Sequence, residues 1–106
     1  MFPILLILLL PVALQAAAAP MPEGRQARLT ELLLEDCGAC HGRTLRGGLG
    51  PALTARALEG RDPETLFLTI RDGRPGTAMP PWGPYLKEEE IRWLVEQLQR
   101  GAIHAR

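Results

Sequence analysis

The chain has 106 residues, which is enough for one small domain and too few for several. Its 12 Lys and Arg residues balance its 12 Asp and Glu residues, so the formal net charge at pH 7 is zero. This balance gives no support for binding to nucleic acid or to a strongly acidic partner.

The N-terminal segment differs in composition from the rest of the chain. Residues 2–14 are almost wholly apolar, and the small-residue run Ala16–Ala19 comes soon after them. The pattern predicts a secretory signal peptide over residues 1–18, cleaved near Ala18, and a mature periplasmic domain over residues 19–106. An uncleaved anchor is the alternative, because no Lys or Arg precedes the apolar run. That run has 13 residues, fewer than the roughly 20 that span a bilayer, so we expect no stable membrane insertion after cleavage.

A helical pattern leads directly into the two cysteines of the chain. Leu29, Leu32 and Leu33 recur at the spacing of one helix face and predict an amphipathic helix over residues 26–36. The string Cys37-Gly38-Ala39-Cys40-His41 follows at once, and it contains the only cysteines in the sequence. C-x-x-C-H is the arrangement of c-type haem attachment. Each thiol adds to one vinyl group of the porphyrin, and the histidine ligates the iron.

Three other interpretations of the cysteine pair have less support. A thioredoxin-like dithiol is expected in a βαβ context, and no strand pattern precedes Cys37. A zinc site needs four ligands, and only His41 and His104 could join the two cysteines. A Cys37–Cys40 disulfide would leave His41 without a role. The motif therefore predicts one covalently bound haem c with its iron, which also supplies the apolar core that so small a domain lacks.

The segment after the motif is rich in glycine. Gly42, Gly47, Gly48 and Gly50 precede Pro51, and this density predicts a loop whose backbone approaches a flat partner closely, here the haem. Three leucines in this stretch are expected to pack rather than to face solvent, namely Leu45, Leu49 and Leu53. A short helical turn is expected near residues 52–58.

A second helix and a proline-rich loop come next. Asp62 as the capping residue and Pro63 at the first helical position predict a helix that ends at Gly73. Residues 73–84 contain four prolines and three glycines, which exclude regular structure and stiffen the loop. Met79 is the only methionine in this loop and suits the second axial ligand of the iron. Its rivals are less suited, because Met21 precedes the first helix and His104 lies in the tail.

A third helix is predicted from Lys87 to about Arg100. Its apolar face consists of Ile91, Leu94, Val95 and Leu98. The run Glu88–Glu90 complements the positive end of the helix and is expected to form a solvated face. The sequence contains no convincing strand pattern, so the predicted fold class is all-α, with three main helices around one covalent haem.

The order of these parts resembles that of class I cytochromes c over residues 26–100. Three strings, at residues 36–42, 47–53 and 73–82, resemble more narrowly the small periplasmic cytochromes c-55X. Those are monohaem proteins of the nitrite reductase gene clusters of denitrifying bacteria. The resemblance implies the small class I cytochrome c fold. The chain departs from the class in one respect: the aromatic residue expected late in the last helix is Gln97 here, with Trp93 one turn earlier.

The resemblance also implies a role for each site residue. Cys37 and Cys40 would carry the thioethers, and His41 and Met79 would be the proximal and distal ligands of the iron. The remaining haem contacts would be the carbonyl group of Pro51, which accepts a hydrogen bond from His41, and the side chains of Leu53 and Trp82, which pack on or beside the macrocycle.

The function implied is that of a monomeric one-electron carrier rather than an enzyme. His/Met ligation leaves no open position on the iron, and the thioether raises the reduction potential. The expected redox partner is the haem-containing nitrite reductase or an enzyme that builds its specialised haem. The alternative is a module that binds or senses NO or a similar gas, in which Met79 leaves the iron.

Overall fold

The computed structural model describes residues 3, 7, 11 and 19–103, and within these ranges it contains helices and no β-strand. The all-α prediction is confirmed for this part of the chain. Apart from residues 3, 7 and 11, the predicted signal peptide lies outside the described residues, and so does His104. The helices are Glu23–Leu32 (α1), Gly38–His41 (α2), Ala55–Leu58 (α3), Pro63–Asp72 (α4) and Glu88–Arg100 (α5), with a π-helical turn, Leu33–Cys37, between α1 and α2.

The helix predicted over residues 26–36 is present, but it begins earlier and ends later than predicted. The backbone remains right-handed helical at Leu33 and Cys37, so α1, the π-helical turn and α2 follow one another without a break. The helix ends only at Gly42, whose φ of 91° suits a residue without a side chain. Short π-helical turns inside α-helices are frequent at functional sites. Here the turn ends at the first cysteine, Cys37, three positions before the second cysteine.

Helix α4 begins and ends where the sequence predicted. The Asp62 carboxylate accepts a hydrogen bond from the Thr65 N–H at 3.1 Å, and Pro63 occupies the first turn. Gly73, at φ 69°, ends the helix. The short turn expected near residues 52–58 is also present as α3, capped by the Thr54 hydroxyl.

Helix α5 confirms the predicted apolar face but corrects the interpretation of its acidic turn. Its four predicted apolar residues are all buried. Glu88 and Glu89 are exposed, whereas Glu90 is only 5% exposed. The Glu90 carboxylate accepts a hydrogen bond from the Lys87 N–H at 2.9 Å and pairs with the Arg25 guanidinium of α1. Glu90 therefore closes the first turn of α5 and joins it to α1, so only part of the run is a solvated face.

The hydrophobic core lies where α1 and α4 meet α5. Every main helix contributes to it, and α3 and two loops complete it. Its buried residues are Leu29, Leu33, Leu45, Leu58, Phe67, Leu86, Ile91, Leu94 and Leu98. The resemblance to class I cytochromes c implies an aromatic residue late in the last helix. At that position Gln97 is half-buried, and one turn earlier the half-buried Trp93 packs against the core. Arg92 of α5 lies over the Phe67 ring of α4, 4.0 Å from its centroid, and pairs with Glu64 at 2.8 Å. These contacts fix α4 on α5.

Candidate haem-binding site

The two cysteines lie three positions apart on one continuous helical segment, so both belong to the same face. Both thiols are free; Cys37 is half-buried and Cys40 is exposed. Burial, together with the negative charge of Asp36, raises the pKa of the Cys37 thiol to about 11. A redox-active dithiol requires a lowered thiol pKa, so this environment does not suit thioredoxin-like chemistry. No group of three or more potential metal-binding His, Cys, Asp or Glu side chains occurs among residues 19–103.

The His41 side chain is oriented by the loop that follows it. His41 is the last residue of α2, and its Nδ1 lies 2.7 Å from the carbonyl oxygen of Pro51. Because a carbonyl oxygen can only accept a hydrogen bond, Nδ1 carries the proton and donates it. The other ring nitrogen, Nε2, is then the one with a lone pair available to a metal ion.

The glycine-rich loop packs closely against the haem motif. A side chain at Gly48 would bring Cβ within 2.8 Å of the Cys40 carbonyl oxygen, and one at Gly50 would bring it within 2.8 Å of the His41 ring. Two backbone hydrogen bonds of 2.8 Å reinforce this contact, from the Gly50 N–H to Cys40 and from the Gly47 N–H to His41. The sequence predicted that these glycines approach the haem. In the structure, Gly48 and Gly50 approach the polypeptide that carries the cysteine and histidine side chains.

The three leucines of this loop behave differently from one another. Leu45 is buried, and Leu53 is half-buried and packs against the core, as expected. Leu49 is 95% exposed, so within the polypeptide described here no protein contact provides the packing that was predicted for it. Its neighbours Gly48 and Gly50 are held against the haem motif, and this backbone path directs the intervening side chain outward.

The proline-rich loop at residues 73–84, called the Met79 loop below, has no regular structure, as predicted. Its C-terminal part is hydrogen-bonded to α4. The Trp82 N–H donates to the Ile70 carbonyl and the Gly83 N–H to the Arg71 carbonyl, each at 2.9 Å. Met79 is half-buried. Trp82 is half-buried, packs against the core and makes an edge-to-face contact with Tyr85. The sequence did not predict that the end of α4 holds this loop, since backbone carbonyls leave no mark in the residue pattern.

The residues present fit a c-type haem. Such a haem requires two thiols on one helix face, a histidine directly after them whose Nε2 is available, and a second axial donor. Cys37, Cys40, His41 and Met79 are the residues that would provide these groups. None of the helices in the described part of the chain is both long enough and apolar enough to cross a membrane.

Comparison with known proteins points to c-type cytochromes. Residues 24–97 match the family model of the cbb3-type cytochrome c oxidase subunit III. A cytochrome c55X of Stutzerimonas stutzeri is 55% identical over 94 residues, which cover 89% of this chain and 80% of the relative. Among solved structures, a c-type cytochrome NirC is 51% identical with a TM-score of 0.77, covering 79% of this chain and 99% of that one.

A third similarity is to one part of a larger protein. A structure titled dihydro-heme d1 dehydrogenase NirN in complex with DHE is 33% identical, with a TM-score of 0.60. The match covers 65% of this chain and only 15% of NirN. The fold, the haem motif and these similarities together show that the chain is a small class I cytochrome c of the cytochrome c55X family, a monohaem electron-transfer protein with one covalently bound haem c.

Proposed function

We propose that this cytochrome is an exported, monomeric one-electron carrier of the nitrite reductase system in a denitrifying cell. In this proposal Cys37 and Cys40 form the two thioether bonds, and His41 and Met79 are the axial ligands of the iron. Removal of residues 1–18 on export belongs to the same proposal, because haem is attached to c-type cytochromes outside the cytoplasm. The bound haem supplies an iron that accepts and releases one electron.

The observation that carries the proposal is the 2.7 Å hydrogen bond from His41 Nδ1 to the Pro51 carbonyl. This bond fixes the orientation of the imidazole and makes Nε2 a stronger donor. A ligand held in one orientation requires little rearrangement when the metal gains or loses an electron. Such a ligand suits a protein whose task is electron transfer.

The role proposed for Met79 distinguishes a carrier from an enzyme. If Met79 and His41 both bound the iron, no coordination position would remain for a substrate. The neutral sulfur also favours the reduced metal and raises the reduction potential. Leu53 and Trp82 are proposed to pack on or beside the macrocycle, which would limit the access of water.

The similarity to NirN supports the choice of partners. A dehydrogenase must pass electrons onward, and one part of NirN resembles 65% of this chain. We therefore propose that the partner is either the haem-containing nitrite reductase or an enzyme that builds its specialised haem. In both cases this chain would exchange single electrons with a larger haem protein.

Absorption and magnetic spectra of the purified holoprotein, compared with those of a Met79→Ala variant, test the proposed ligation. The wild type should be low-spin in both oxidation states and show a Met–Fe(III) charge-transfer band in the near infrared. Met79→Ala should lose the band and bind CO, and its potential should fall by tenths of a volt, part of the roughly 0.8 V range that axial ligands control.

Met21→Ala is the matched control for this experiment. Met21 is also half-buried, and it packs against the core from the segment before α1. The control variant should keep the band and the potential of the wild type. Ready CO binding by wild-type ferrous protein at neutral pH would contradict the carrier and favour the gas-binding alternative.

A further inference from the structure

We propose that Gly73 and Thr77 hold Met79 in place and thereby determine how readily this ligand leaves the iron. Gly73, Arg74 and Thr77 together are called the Met79 clamp below. The inference rests on the proposed function, because it takes Met79 as an axial ligand. It adds two positioning residues that do not themselves touch the metal.

Gly73 is in direct contact with the backbone of the Met79 loop. The residue is buried at the end of α4, with φ 69°. A Cβ at this position would lie 2.6 Å from the Met79 carbonyl oxygen, 2.8 Å from the Pro80 carbonyl carbon and 2.9 Å from the Pro81 nitrogen. All three are backbone atoms, which cannot rotate aside as a side chain can. Only glycine lets α4 and the loop approach so closely.

The Thr77 hydroxyl joins the two sides of the short loop 74–79. It donates a hydrogen bond to the Arg74 carbonyl at 2.7 Å and accepts one from the Met79 N–H at 3.3 Å. Two backbone hydrogen bonds complete the loop, from the Arg74 N–H to the Met79 carbonyl at 3.2 Å and from the Thr77 N–H to the Arg74 carbonyl at 3.0 Å. Both backbone polar groups of Met79 therefore have partners within the clamp.

The clamp is continuous with the rigid part of the fold. The last carbonyl groups of a helix have no partner within it, and in α4 the Ile70 and Arg71 carbonyls accept hydrogen bonds from Trp82 and Gly83. Helix α4 is in turn fixed on α5 through the contact between Phe67 and Arg92. Displacement of the Met79 backbone therefore requires the loop to separate from α4, a local unfolding step.

This arrangement affects what the iron can bind. An external ligand such as CO binds only when Met79 has left, so its apparent dissociation constant is the intrinsic one divided by the fraction of open molecules. Contacts that stabilise the closed loop lower that fraction. The clamp therefore protects a carrier from inhibition by small gases, and its loss would shift the protein toward gas binding.

Gly73→Ala, compared with Gly60→Ala, tests the clamp. Both glycines have positive φ, 69° and 73°, so alanine is strained at each. Gly60, however, lies outside the Met79 loop, and apart from its chain neighbours no atom of the described residues lies within 4 Å of the added Cβ. Gly73→Ala should lose intensity in the Met–Fe(III) band and bind CO at least about tenfold more tightly in the ferrous state. Gly60→Ala should match the wild type in both measurements.

A second pair of variants keeps the test decisive if Gly73→Ala does not fold. Thr77→Val removes both hydroxyl hydrogen bonds at an exposed position and should tighten CO binding about fivefold, the effect of roughly 1 kcal/mol. Thr77→Ser keeps the hydroxyl and should restore the wild-type value. Wild-type protein without the near-infrared band would overturn the proposed ligation and the clamp with it. If the band is present, and CO affinity is unchanged in Thr77→Val and in any folded Gly73→Ala protein, the clamp alone is overturned.

Discussion

The contact between Gly50 and His41 allows the histidine to be perturbed without changing it. A Cβ at Gly50 would lie 2.8 Å from both Cε1 and Nδ1 of the His41 ring, well inside ordinary van der Waals contact. The same Nδ1 donates the hydrogen bond to Pro51, the next residue of the loop. In Gly50→Ala the ring and the loop must therefore move apart, and the hydrogen bond between them lengthens.

The size of the effect follows from the two contacts that change. Overpacking of this kind costs about 1–3 kcal/mol of unfolding free energy. A hydrogen bond of this type contributes about 0.5–1.5 kcal/mol, and it favours the oxidised iron because it makes the imidazole a stronger donor. The potential changes only by the difference in this bond's strength between oxidised and reduced iron. With 59 mV for each tenfold change in a one-electron equilibrium, its loss should therefore raise the reduction potential by at most about 60 mV.

Potentiometric titration of the holoprotein, with thermal unfolding in parallel, provides the measurement. Gly24→Ala is the control: the site lies in the first turn of α1, and apart from its chain neighbours and the backbone of α1 no atom of the described residues is within 4 Å of the added Cβ. That variant should keep the wild-type potential and lose no stability, since alanine favours a helix over glycine. A Gly50→Ala holoprotein with unchanged potential and stability would refute the argument that Gly50 orients His41.

Two further predictions concern the helix junctions. The Arg25 guanidinium holds the pKa of the buried Glu90 carboxyl below its usual value of 4.5. The ion pair therefore contributes its full stabilisation of the folded state above about pH 4.5, and that contribution is lost as the pH falls through the lowered pKa. Glu90→Gln should lower the unfolding free energy at pH 7 by about 1 kcal/mol and flatten its dependence on pH below neutrality, whereas Glu89→Gln at an exposed site should do neither. If the unfolding free energies of the two variants depended on pH in the same way, the role of Glu90 would be contradicted. Asp62→Ala removes the cap of α4 and should cost about 1 kcal/mol in denaturant unfolding, while Asp62→Asn keeps an acceptor and should cost much less; equal losses would argue against capping.

The parts of the molecule that could be predicted from sequence are those set by local spacing. The haem motif is five consecutive residues, and the limits of α4 depend on Asp62 and Gly73, which are adjacent to it. The role of Gly73 beyond ending the helix was not predictable. It depends on where the Met79 loop returns to α4, and that path is determined by contacts between backbone atoms. The exposure of Leu49 in the polypeptide was not predictable for a related reason, because hydrophobicity gives a preference for burial but not the direction of the backbone.

Glu90 shows how a local signal can be present and still be missed. Three consecutive glutamates look alike in the sequence, and only the third lies at the helix position whose side chain can return to the N–H of the capping residue. That pattern is normally recognised by a Ser or Thr at the cap, but the cap here is Lys87, which has no side-chain acceptor. The second partner, Arg25, is 65 positions away along the chain. Burial of this charge could therefore be inferred only after α1 and α5 were known to meet at their N-terminal ends.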